Sequence, residues 1–96
     1  MIELGFTDLR SSRKTQLLFT GEEIEAGEFE KIKNIVRLID VKEFHDGAYY
    51  IVHIGMTDAN RERLEAQPFY HFIKIGRHKR GVTLADIIEI KQRAGV

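Results

Sequence analysis

The sequence predicts one α+β domain over residues 1–96: a four-stranded antiparallel sheet, helices mainly on one face, and an extra C-terminal helix. Three observations predict it. A chain of 96 residues has room for one domain with its own core and little else. Asp46-Gly47 is a two-residue hairpin signal, because both residue types tolerate the positive φ of a type I′ turn. Stretches with the β-branched and aromatic content of strands also alternate with stretches whose apolar residues recur at helical spacing.

Taken in order, residues 2–6 are a candidate extra edge strand, and residues 15–20 (Thr-Gln-Leu-Leu-Phe-Thr) read as a short buried strand. Thr20 and Glu23 then form a capping box, with the Thr20 hydroxyl accepting from the Glu23 amide and the Glu23 carboxylate reaching back. Phe29, Ile32, Val36 and Ile39 share a helical face, with Ile35 beside them, so a helix starts near Gly21 or Ala26. A hairpin needs a strand on each side of its turn, which ends that helix near Asn34 and starts a strand near Ile35. Counting outward from Asp46-Gly47 pairs His45 with Ala48, Phe44 with Tyr49, Val41 with Val52, and Asp40 with His53. Alternation places Tyr49, Ile51 and His53 on one face and Tyr50, Val52 and Ile54 on the other. Gly55 closes the strand, Thr57 or Asp58 caps a helix to about Gln67, and Pro68 stops it. Residues 69–76 form another strand and residues 77–81 a basic loop. Thr83-Leu-Ala-Asp86 caps a final helix carrying Leu84, Ile87, Ile88 and Ala94, ended by Gly95.

The resulting order of strand, helix, strand, strand, helix, strand is that of the ferredoxin-like split-βαβ sandwich. Its helices cover one side, so the other sheet face is expected to stand open, with the strand from Ala48 central.

Composition sets limits on function. The chain is 43% hydrophobic and 31% charged, the balance of an ordinary soluble globular protein. Its apolar runs are too short to cross a bilayer, so no membrane partner is expected. The opening Met-Ile-Glu-Leu-Gly lacks a basic region followed by an apolar stretch, which predicts no secretory signal. Without cysteine there are no disulfides or thiolate metal sites, and a reducing, cytoplasmic setting is expected. Fifteen basic and fifteen acidic side chains cancel, which argues against binding nucleic acid by net charge alone. The charges are segregated, however. Glu22, Glu23, Glu25, Glu28 and Glu30 crowd one segment, while Arg10, Arg13, Lys14 and then Arg77, Lys79, Arg80 form basic clusters.

Two motif resemblances bear on chemistry. Leu17-Leu-Phe-Thr-Gly21 and Gly47-Ala-Tyr-Tyr-Ile-Val-His-Ile54 resemble the two signatures of the RNA-recognition-motif family. That resemblance implies single-stranded nucleic acid stacked on the open sheet face through Tyr50. Ala48 stands at the other ring position and Asp46 where a basic residue is expected. Ile54-Gly-Met-Thr57 followed by Arg61 or Arg63, with His53 in the place of a tyrosine, resembles the GIY-YIG nucleases. That resemblance implies His53, Arg61 and Glu89 as a degenerate nuclease set, but residues 35–44 lack the family's second tyrosine. A hydrolase built on His53 with Asp40 as orienting carboxylate is the other enzymatic reading.

His45, His53, His71 and His78 lack zinc-ligand spacing, so no metal and no cofactor are expected. Arg77, Lys79 and Arg80 between two glycines are the best anion contact. The last sixteen residues sound like half a helix-turn-helix but end where a recognition helix would begin, so that helix is expected to pack on the sheet or on another subunit. The expectation is a small non-enzymatic binding or regulatory module. Its partner is a protein or a second copy (a homodimer) ahead of nucleic acid, with Tyr50, Arg77, Lys79 and Arg80 as the residues to test.

Overall fold

The structure, a computed structural model, describes residues 1–6, 14–55, 57–76 and 84–95. Along the chain run β1 (Ile2–Phe6), β2 (Lys14–Thr20), α1 (Gly21–Glu25), α2 (Glu28–Ile35), β3 (Leu38–Phe44), β4 (Tyr49–Gly55), α3 (Asp58–Glu65), β5 (His71–Gly76) and α4 (Leu84–Ala94).

The capping box at Thr20 forms as the sequence implies: the Glu23 N–H donates to Thr20 Oγ1 at 3.1 Å, and the Thr20 N–H to Glu23 Oε1 at 2.8 Å. The helix it starts is interrupted. Gly27 has φ of 88° in the left-handed region, so one expected helix becomes two, α1 and α2. The break lets Ile24 and Phe29 both pack on one core, with the Phe29 ring edge-on to Phe19 at 5.7 Å.

The switch from coil to pairing falls close to its expected place. α2 ends at Ile35, Val36 is extended at φ −135°, and β3 starts at Leu38. The hairpin register is the one counted from the turn, with Phe44 opposite Tyr49, Val41 opposite Val52, and Asp40 opposite His53. Asp46 and Gly47 both have positive φ, and the Ala48 N–H donates to the His45 carbonyl at 3.2 Å. His45 is also left-handed at φ 52°, which leaves Phe44–Tyr49 as the last ladder pair. A bulge between Leu38 and Asp40 sets Ile39 outside the regular register.

The four-stranded antiparallel sheet is corrected to a five-stranded mixed one, ordered β3-β4-β2-β1-β5. β1 is no edge strand. It lies between β2, to which it is antiparallel, and β5, to which it is parallel. The directions follow from the connections: β4 and β1 both run opposite to β2, and β5 returns from β4 through α3 running the same way as β4. β5 therefore meets the free side of β1 only in parallel.

The expected open sheet face is also corrected. On one side α1, α2 and α3 close over Met1, Leu17, Phe19, Val52 and Ile54, adding Ile32, Val36 and Leu64. On the other, α4 lays Ile87 and Ile90 over Ile2, Leu4, Leu18 and Ile51. Both faces are thus covered, and β2 contributes Leu17 and Phe19 to one core and Leu18 to the other.

Candidate interaction site

Glu3, the second residue of β1, carries a carboxylate at only 2% exposure. It sits opposite Leu17 and so points to the side of α1, α2 and α3. Thr15 Oγ1 donates to Glu3 Oε2 at 2.7 Å; the Tyr70 hydroxyl donates to Oε1 at 2.7 Å, and Arg61 Nη1 donates to the same oxygen. Arg61 Nη1 also lies 3.4 Å from the Tyr70 oxygen. Burial and the adjacent Glu3 carboxylate push the Tyr70 phenol well above its ordinary range, so it remains a donor. Burial opposes the Arg61 charge, but the bond and attraction to Glu3 outweigh it and raise its pKa. Each Glu3 oxygen has donors, and the cluster ties β1, β2, α3 and the approach to β5 together. It holds the fold.

The residues expected to carry function are scattered. His53 follows Tyr49 and Ile51 on the α4 side, whereas Arg61 reaches Glu3 on the opposite side. The sheet thus separates them, and Glu89 is exposed on α4. Tyr50 packs against the core beneath α1 and α2 instead of standing on an uncovered platform. His53 Nδ1 is buried without a hydrogen-bond partner among the described residues, and Asp40 Oδ2 lies 3.9 Å away, beyond bonding distance. Arg77, Lys79 and Arg80 lie outside the described residues.

What the fold leaves available is the outer side of β3. Among the described residues this strand ends the sheet and pairs only with β4, and it is exposed from Ile39 through Glu43. Ile39 is 47% and Val41 45% exposed, unusual for β-branched residues in a strand. Among the described residues no hydrogen bond joins the outer main-chain groups of β3 to another element. The opposite edge is treated differently: Arg93 of α4 donates from Nη2 to the Lys74 carbonyl of β5 at 2.7 Å. One edge is thus capped by a side chain and the other presents its backbone. A shallow groove lined by Arg37, Leu38, Ile39, Gly55 and Asn60 continues the exposed strand toward α3.

Sequence reasoning found the position of β3 but not its edge status, because that depends on which strand lies beside it. It also missed Glu3, whose partners Arg61 and Tyr70 lie 58 and 67 residues away. In comparison with known proteins, no family model, no curated protein and no solved structure matches this chain.

Proposed function

We propose that this chain is a protein-binding module that accepts a partner's strand along β3. The single observation that carries the reading is an edge strand exposed over five successive residues, with Ile39 and Val41 half in solvent and the outer backbone unpaired among the described residues. Strand addition supplies affinity through main-chain hydrogen bonds and specificity through alternate side chains. The polar cluster around Glu3 offers no competing site, since its groups bond to one another.

The test is a photo-crosslinking residue placed at Val41, with Glu62 on the exposed face of α3 as control. In cells expressing the chain, position 41 should yield a discrete protein adduct, self or other, and position 62 none. Absence of an adduct at 41, or equal labelling at both positions, overturns the reading.

A further inference from the structure

We infer that the occupant of the β3 edge is a second copy of this chain, paired antiparallel about a twofold axis through Val41. This rests on the reading of β3 as the docking edge and names its partner. The side-chain pattern selects both the partner and the register.

When an edge pairs with itself about a twofold axis normal to the sheet, facing side chains lie on the same side of the sheet. The axis must then pass through a residue, not between two. Placed at Asp40 it sets carboxylate against carboxylate; placed at Lys42 it sets ammonium against ammonium; placed at Glu43 it again opposes like charges. Ile39 lies at the bulge, outside the regular ladder. Leu38 and Phe44 are the half-buried ends of the strand, so among its exposed residues in the regular ladder Val41 alone remains. There Val41 faces Val41, Asp40 faces Lys42 of the second copy, and Lys42 faces its Asp40. The same charges that reject the registers centred on Asp40, Lys42 and Glu43 form two opposite-charge pairs in this one.

The surroundings are compatible. Asp40 and Lys42 sit opposite His53 and Ile51 and so project on the α4 side, while Val41 projects with Val52 on the side of α1 to α3. The second copy keeps its layers on the same sides, and the sheet continues across the axis. Asp40 has a 64% exposed side chain and stands 3.9 Å from His53, too far for a hydrogen bond, so its carboxylate is open to a cross-strand cation. Lys42 Nζ lies 5.6 Å from the Phe44 ring centroid, a weak contact at an exposed site that a carboxylate can displace.

The experiment is sedimentation equilibrium at low salt, from about 10 μM to about 1 mM, a range suited to a small strand-pairing interface. The wild-type mass should rise from 11.1 kDa toward twice that value with concentration. Asp40→Lys and Lys42→Asp should each weaken dimerisation about tenfold or more, and the combined D40K/K42D chain should recover to within about threefold of wild type. Far-UV circular dichroism confirms that each exposed-site variant is folded. A wild type that stays monomeric throughout, or a dimer indifferent to the reversals, overturns the inference. A monomer that still crosslinks another protein at position 41 defeats this inference and leaves the edge reading intact; a monomer with no adduct defeats both.

Discussion

Glu3 shows how one residue constrains three distant segments. A carboxylate at 2% exposure is tolerated because Thr15, Arg61 and Tyr70 all donate to it. Removing the charged partner of a buried carboxylate costs more than the pair contributes, because Glu3 would keep the neutral donors Thr15 and Tyr70 but lose the opposite charge. Arg61→Met should therefore destabilise the chain by about 3 kcal/mol in urea unfolding. The same residue stands in the nuclease resemblance, so loss of activity in an Arg61 variant would report the fold before it reported chemistry. Glu23 gives a second test. Burial opposes its ionisation, but bonds from the chain's amino group and the Thr20 N–H outweigh it and hold the carboxyl below its ordinary range. A carboxylate depressed on folding stabilises fully above its unfolded value, and that stability is lost as pH falls through the folded value. Glu23→Gln should thus lower stability at neutral pH and flatten the acid side of the stability profile. Thr20 and Glu23 were legible from adjacent residues; Glu3 was not, since nothing local marks a strand glutamate as buried.

At the level of elements, local chemistry decides where segments begin and end. The Thr20 and Thr57 caps form because their hydroxyls accept from the amides of Glu23 and Asn60. The hairpin register follows from Asp46-Gly47 because a turn and a pleat leave one pairing. The break at Gly27 depends on a left-handed residue, so Gly27→Ala should cost about 1 kcal/mol, read as a lowered denaturation midpoint. The sequence also held a signal against an open face. Leu17-Leu18-Phe19 and Ile51-Val52 place apolar residues on both sides of their strands, as strands covered on both faces do. Strict alternation would have marked a solvated face.

For the whole molecule, the two cores share β2 and β4, so they should unfold together. Ile32 and Ile87 are fully buried on opposite sides of the sheet. Ile32→Ala and Ile87→Ala should each cost about 2–5 kcal/mol. Each should shift one common transition, coincident by far-UV circular dichroism and tyrosine fluorescence. A separate early transition in the Ile87 variant would show that the α4 layer unfolds independently. The caps, the turn, the hairpin pairing and the existence of most strands were legible in the residues alone, because these depend on positions close together in the chain. The entry of β1 between β2 and β5, the closing of the second face by α4 and the marginal place of β3 emerge from packing of the whole chain. Those outcomes depend on which surfaces remain to be buried once every element has formed, a competition among segments far apart in the chain.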